Sequence, residues 1–132
     1  KKFIICTGYK SNDLKKYFKK NKKVFSGLDI ELVDTGDKSN TGLRVKKIKN
    51  KIKNDIFFLT YCDGLTNLDL KKLFNSFNDD KKIGILTTVN PQSRFGILSI
   101  RNKNQIIDFN EKKKLFNLWI NAGFYIFKKK NL

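Results

Sequence analysis

Residues 56–62, Ile-Phe-Phe-Leu-Thr-Tyr-Cys, present apolar side chains to both faces of an extended chain and stop at Asp63-Gly64. Such a run is stable only when both faces are covered, which is the situation of a parallel strand lying between helices. A carboxylate just past the end of that strand sits where open α/β sheets bind their ligands. Asp-Gly is equally at home in a plain turn between strand and helix. Position alone therefore leaves two readings for Asp63: a metal or phosphate ligand, or a turn residue.

The rest of the chain sets this run in an alternating pattern. Residues 3–9 read as a strand, with Gly8 at its exit. Ser11 is placed to cap a helix with Asp13 in its first turn and Leu14, Tyr17 and Phe18 on one face. Residues 29–34 read as a second strand. A polar stretch leads to Thr41 as the expected cap of a second helix, in which Val45, Ile48 and Ile52 share a face. After Asp63 comes a helix opened by Asp69, then a buried-type strand over 83–89 closed by Asn90-Pro91. Strands then predominate: 96–100 and 105–109 form a hairpin, and 119–127 is the last strand. The expectation is one domain over residues 1–132, α/β in class, with a mostly parallel (mixed) sheet, helices on both faces and an antiparallel extension.

Composition narrows the function. The 132 residues are 39% hydrophobic with twelve Phe, enough to build a modest core. No stretch approaches the roughly 18 consecutive apolar residues of a membrane-spanning helix, so no membrane role is expected. The net charge of +17 points first to nucleic acid. However, the positive residues are almost all Lys, with Arg44, Arg94 and Arg101 as the arginines, whereas base readout and phosphate forks favour Arg. Nucleic acid is therefore not the expected partner, and the lysines read as a solvated face. Cys6 and Cys62 lack a nearby Cys or His and read as reduced core thiols of a cytoplasmic protein. The absence of His excludes Ser-His and Cys-His nucleophilic mechanisms within this segment. With no Met and a Lys-Lys start, the chain reads as part of a longer protein.

Two constellations carry further chemistry. Residues 34–44, Asp-Thr-Gly-Asp-Lys-Ser-Asn-Thr-Gly-Leu-Arg, offer the hydroxyls of Ser39 and Thr41, helix N-terminal amides and the Arg44 guanidinium. That is a reasonable phosphate or nucleotide surface, and an ordinary capped loop accounts for it equally well. It lacks the Gly-x4-Gly-Lys-Ser/Thr spacing of a P-loop. Asn121-Ala122-Gly123 interrupts an apolar strand: a buried amide there needs partners, and a glycine admits close approach of a ligand or another backbone. Arg94, on a loop, and the pair Glu111-Lys112 mean little by themselves.

Taken in order, these pieces resemble the sugar-phosphate nucleotidyltransferases, and within them the glucose-1-phosphate cytidylyltransferase branch. The matching stretches are Phe-Ile-Ile-Cys-Thr-Gly-Tyr-Lys at 3–10, residues 32–44 with their Thr-Gly-Asp-x-Ser-x-Thr-Gly-x-Arg run, Phe-Leu-Thr-Tyr-Cys-Asp-Gly at 58–64, Arg-Phe-Gly-Ile-Leu at 94–98, Phe-Asn-Glu-Lys at 109–112 and Ile-Asn-Ala-Gly-Phe-Tyr-Ile-Phe at 120–127. The resemblance implies a Rossmann-like fold of the GT-A-like type, truncated at both ends. It also implies the reaction of CTP with glucose 1-phosphate to give CDP-glucose and pyrophosphate.

Carried over by position, Asp63 holds Mg²⁺, while Ser39, Thr41, Arg44 and the backbone of Cys62 meet the nucleotide. Glu111 and Lys112 meet the sugar phosphate, and Asn121 and Gly123 lie near the glucose hydroxyls. Asp63, Arg44 and Lys112 form the implied catalytic set. Family members commonly assemble, which implies a homo-oligomer. The family's Gly-rich loop would precede Lys1 and its second metal carboxylate would follow Leu132, so residues 1–132 alone are expected not to turn over. Position 62 is Cys where the family usually has Gly, and position 113 is Lys where it has Pro. Another sugar-1-phosphate nucleotidyltransferase, a catalytically silent homologue and a basic nucleic-acid-binding module are the alternatives.

Overall fold

The structure is a computed structural model, which describes residues 1–77, 81–102, 104–111, 115 and 118–132. Its chain divides into two compact units, Lys1–Phe57 with Lys128–Leu132, and Phe58–Phe127. The class is α/β, with three helices and seven strands among the described residues, and the strands form three small ladders.

The first unit opens with β1 (Lys2–Thr7), α1 (Ser11–Lys20) and β2 (Asp29–Asp34). The two strands pair in parallel, Lys2 opposite Asp29 through Thr7 opposite Asp34, joined by the helix as a parallel crossover requires. The expected Ser11 cap is replaced. Lys10 occupies that position in the left-handed region at φ 55, without a side-chain cap. Ser11 is already helical, and its hydroxyl donates to Asp34 Oδ2 at 3.2 Å. Tyr17, Phe18 and Phe25 form an aromatic cluster beyond the helix, with Phe18 and Phe25 centroids 4.6 Å apart.

Next comes α2 (Thr41–Lys47). Its cap is Asn40 rather than Thr41: the Asn40 side chain accepts from Leu43 N–H at 2.9 Å. Asn precedes Thr and outranks it as a cap, so the helix starts one residue earlier than the hydroxyl suggested. The spacing of Val45, Ile48 and Ile52 works as expected, each being only 6% exposed. A single turn of 3-10 helix at Lys49–Lys51 links them.

The strand β3 (Ile56–Thr60) begins in the first unit and ends in the second. In the second unit follow α3 (Leu70–Asn75), β4 (Gly84–Val89), β5 (Ile97–Arg101), β6 (Gln105–Asn110) and β7 (Ile120–Lys128). Asp69 caps α3 as expected, accepting from Lys71 and Lys72 N–H. The hairpin also forms as expected: β5 and β6 are antiparallel, and Asn104 takes φ 70 in the turn. The ladder order is β3-β7-β4, with β4 antiparallel to β7.

Two expectations fail in this unit. The runs at 56–62 and 83–89 are not buried on both faces, since Phe58 is 48% and Leu86 55% exposed. Covering both faces takes helices on both sides. Among its described residues this unit has one, the six-residue α3, whose Phe74 stacks on Phe58 at 6.2 Å. Cys62 is likewise no core thiol: it lies exposed in the turn past β3, while Cys6 is half-buried in β1. No described helix is long and apolar enough to cross a membrane.

Candidate functional site

The loop between β2 and α2 is the first candidate element. Asp34 Oδ1 accepts from Gly36 N–H at 2.9 Å, and Ser11 donates to the other oxygen. These two bonds, the backbone one first, hold the Asp34 carboxyl below its usual range. Thr35 is buried, and both its N–H and its hydroxyl donate to Thr7 O at 2.9 Å. The loop is thereby sutured to the end of β1.

Arg44 completes that suture. One guanidinium nitrogen, Nη1, donates to Thr7 O at 2.8 Å and to Thr35 Oγ1 at 2.7 Å, while Nη2 donates to Asp37 O at 3.3 Å. Gly8 makes room for it. A Cβ at that position would lie 2.8 Å from Nη2 and 2.9 Å from Gly36 O. Gly8 thus does more than permit the tight exit expected of it, since the absent side chain is what lets the guanidinium lie against the backbone. Ser39 gives its proton to Thr35 O at 2.5 Å, and Lys47 Nζ donates to Ser39 Oγ at 3.0 Å and to Thr35 O at 2.6 Å. Lys47 is a residue that sequence reading missed, hidden among the lysines of α2. Ser39 and Arg44 come together here. Thr41 is the exposed first residue of α2, just past the Asn40 cap whose side chain accepts from Leu43 N–H.

The second candidate element is the turn after β3. Asp63 is exposed, and its carboxylate has no hydrogen bond or ion pair with the described residues. The turn is closed by Gly64 N–H donating to Tyr61 O at 3.4 Å. Across from it β7 is irregular: Leu86 pairs with Tyr125 and Thr88 with Asn121, so residues 122–124 face Thr87 alone. That is a bulge, and Gly123 takes the left-handed φ of 81 it requires. Thr87 fills it by donating to Phe124 O at 3.0 Å.

The bulge assembles a polar cluster. Asn121 Oδ1 accepts from Gly123 N–H at 2.9 Å, and Asn121 Nδ2 donates to the Tyr61 hydroxyl at 3.4 Å and to that of Tyr125. The Tyr61 and Tyr125 hydroxyls share a hydrogen bond at 3.0 Å. The Tyr125 hydroxyl beside it, with the Asp63 charge as a minor contributor, holds the Tyr61 phenol above its usual range. Asn121 is exposed rather than buried, so its partners serve orientation more than the rescue of a buried amide. The close neighbour that Gly123 admits is the Tyr61 ring: a Cβ there would lie 2.7 Å from Tyr61 Cδ2. Tyr61 and Tyr125 were not among the expected site residues; their apolar-strand context hid them. Cys62, Asp63, Asn121 and Gly123 thus lie in one unit. Glu111 is exposed just past β6 in the same unit, and Lys112 falls outside the described residues. No group of three or more acidic or Cys side chains with metal-ligand geometry occurs among the described residues.

Comparison with known proteins places this architecture. The nucleotidyl transferase family profile matches residues 1–132, across both units. The chain is 36% identical to a glucose-1-phosphate cytidylyltransferase of Salmonella typhimurium, covering 96% of this chain and 56% of that protein. It is 29% identical to a D-glycero-alpha-D-manno-heptose 1-phosphate guanylyltransferase of Campylobacter jejuni, covering 98% and 56%. The crystal structure of HddC from Yersinia pseudotuberculosis superimposes with a TM-score of 0.64 at 25% identity, covering 96% of this chain and 56% of the other. The chain therefore spans about half the length of the curated relatives it matches. With a collinear match from end to end, a parallel β1-α1-β2 crossover, and an acidic turn past β3, the chain belongs to the nucleotidyl transferase family.

Proposed function

We propose that residues 1–132 are part of one catalytic domain that transfers a cytidylyl group from CTP to glucose 1-phosphate, giving CDP-glucose and pyrophosphate. The observation that carries this reading is the Asp63 carboxylate, exposed and unpartnered among the described residues, in a chain 36% identical to a cytidylyltransferase over 96% of its length.

In this reaction an oxygen of the sugar phosphate attacks the α-phosphorus of the triphosphate. A new phosphorus–oxygen bond forms, the α–β bridging bond breaks, and pyrophosphate leaves with the electron pair. The attacking phosphate is already ionised near neutral pH, so no general base is needed, and a chain without His is suited to the chemistry. The protein has to align the reactants and offset their charge.

A magnesium ion fits Asp63. It takes one or two carboxylates and completes its shell with phosphate oxygens and water, and a single exposed carboxylate without a competing partner meets that need. Bound there, the ion would neutralise charge on the phosphates. Arg44 and Lys47 hold the loop after β2 in a fixed shape, with Ser39 oriented between them. That loop is the proposed nucleotide contact, together with Thr41 and the backbone at Cys62. Glu111 and Lys112 are the proposed sugar-phosphate contacts. The same reading puts the protein in the cytoplasm, with nucleotide and sugar phosphate as partners and self-assembly as a further expectation.

The test is an assay of the natural protein carrying this sequence, with CTP, GTP, UTP and dTTP each paired with glucose 1-phosphate and Mg²⁺. CDP-glucose as the main product supports the proposal. Preference for another triphosphate, for which the similarity to a guanylyltransferase gives reason to look, corrects the nucleobase. Binding without turnover of any pair identifies a silent homologue and overturns the proposed reaction.

A further inference from the structure

Residues 14–28, Leu-Lys-Lys-Tyr-Phe-Lys-Lys-Asn-Lys-Lys-Val-Phe-Ser-Gly-Leu, carry six lysines and neither an acid nor an arginine. They make up most of α1 and the turn that leads to β2. At about 100° per residue, Leu14, Tyr17 and Phe18 fall within one arc of the helix, and Lys15 and Lys20 stand at its two borders. The helix buries none of its residues.

The turn extends that face and is held by local bonds. Asn21 N–H and Nδ2 both donate to Tyr17 O, at 3.0 and 2.8 Å, and Val24 N–H donates to Asn21 O at 2.9 Å. The Ser26 hydroxyl donates to Lys23 O at 2.7 Å. Phe25 folds back onto Phe18 and Tyr17. Val24 is left 74% exposed, with Tyr17 at 56% and Leu28 at 50%, while Lys22 and Lys23 are exposed beside it.

Lysines by themselves make a solvated face. Apolar side chains exposed among them, on backbone fixed by hydrogen bonds, match a partner that is both anionic and apolar. A nucleic-acid backbone supplies the charge, but it favours Arg and gives Val24 and Leu28 nothing to enter. An anionic lipid surface supplies both: headgroups for the ammonium groups and an acyl boundary for the aliphatic side chains, with the lysine stems lying along the interface.

We propose that α1 and the turn over residues 21–28 form a peripheral docking surface for anionic phospholipid bilayers. Lys15, Lys20, Lys22 and Lys23 meet the headgroups, and Tyr17, Val24 and Leu28 enter the interface. Binding of this kind needs no spanning helix, so it goes beyond the sequence expectation of no membrane role, which rested on the lack of one. It is independent of the transferase reading.

The test is cosedimentation of the natural protein carrying this sequence with vesicles of phosphatidylcholine, with and without phosphatidylserine. Binding is expected only with phosphatidylserine, and is expected to weaken as salt rises. Each lysine at such a surface is worth about 5-fold in affinity. Replacing Lys15, Lys20, Lys22 and Lys23 together by Gln should therefore weaken binding by at least about 100-fold. A charge-matched control, with Lys53, Lys71, Lys72 and Lys130 replaced by Gln, should lose less than about 10-fold. Val24→Ser, at a position too exposed to support the fold, should lose about 3- to 10-fold with Tm unchanged.

No binding to phosphatidylserine vesicles overturns the proposal, as does binding that ignores the lipid charge. Equal losses in the two Lys→Gln sets also overturn it, because they trace binding to the net charge of the whole chain. Val24→Ser binding as tightly as wild type overturns it too, and tight binding of a single-stranded RNA oligomer alongside would assign the surface to nucleic acid instead.

Discussion

In the loop after β2, the cationic and hydroxyl groups expected to greet a nucleotide are hydrogen-bonded to the protein's own backbone. Arg44 donates to two carbonyls and a threonine hydroxyl, and Ser39 and Lys47 converge on Thr35 O. In the turn after β3 the arrangement is reversed: Asp63 has no partner among the described residues, and the polar side chains beside it bond to one another. The first region is a rigid frame whose functional groups also hold up the fold. The second leaves its acid available. Substitutions in the first should therefore cost stability and function together, and those in the second should separate the two.

The largest expected effect is at Asp63. Asp63→Asn removes the charge that a metal would need without removing a structural bond, so turnover in the natural protein should fall by at least about 100-fold. Its Tm should stay within a degree or two of wild type. A matching loss of Tm would erase the contrast between the two regions. Arg44→Ala should behave in the opposite manner. It strips charged hydrogen bonds from Thr7 O and Thr35 Oγ1, and each such bond contributes about 1.5–3 kcal/mol. A loss of about 2–4 kcal/mol in denaturant unfolding is expected, with weaker nucleotide binding alongside. Arg44→Lys keeps the charge and loses the fork, so it should recover only part of the stability.

Glycine substitutions sharpen the comparison from the side of packing. Gly8→Ala would drive a Cβ to within 2.9 Å of both the guanidinium and the Gly36 carbonyl, and the carbonyl belongs to backbone. Gly123→Ala combines a left-handed φ with a contact of 2.7 Å to the Tyr61 ring. Each should cost about 1–3 kcal/mol by unfolding. Gly8→Ala should also displace Arg44 and weaken nucleotide binding. Gly123→Ala should displace Tyr61 and weaken sugar-phosphate binding instead. Identical ligand profiles for the two variants would mean that the regions do not have separate roles.

How much of this was legible in the sequence follows from which forces act locally. Strand-helix alternation, the Val45-Ile48-Ile52 face, the Asp69 cap and the hairpin of β5 and β6 are written in nearest-neighbour patterns, and all are present. Caps were less legible where two candidates compete. Asn40 supplanted Thr41, and a left-handed Lys10 made Ser11 a helical residue free to bond Asp34. The apolar run at 56–62 signalled a strand correctly but not its exposure, because burial depends on layers that the run itself does not encode. In the site, Ser39, Arg44, Asp63 and Asn121 stood out as polar groups in telling places. Lys47, Tyr61 and Tyr125 did not, since their roles arise from contacts up to 64 residues apart. Only the fold makes a lysine among lysines, or a tyrosine in an apolar strand, different from its neighbours.

The smallest expected effect lies away from both regions and calibrates the rest. Glu31, on β2, pairs with Lys2 of β1 at 2.6 Å and with Lys51. Hydrogen bonds from Lys2 and then Lys51 lower its carboxyl from an ordinary 4.5 to about 2. A carboxyl depressed in the folded state binds fewer protons there than in the unfolded chain. Its stabilising contribution is thus complete above the ordinary value and is lost as pH falls from about 4.5 towards 2. Both partners are exposed to solvent, where salt screens such pairs and the gain is small. Denaturant midpoints measured from pH 6 down to pH 2.5 should fall more for wild type than for Glu31→Gln, and the gap should narrow at 1 M salt. Because this triad joins β1 to β2 and touches neither Arg44 nor Asp63, ligand affinities at neutral pH should be the same in both proteins. A Glu31→Gln variant that lost nucleotide binding would show that the frame after β2 depends on the β1–β2 pairing as well as on the guanidinium suture.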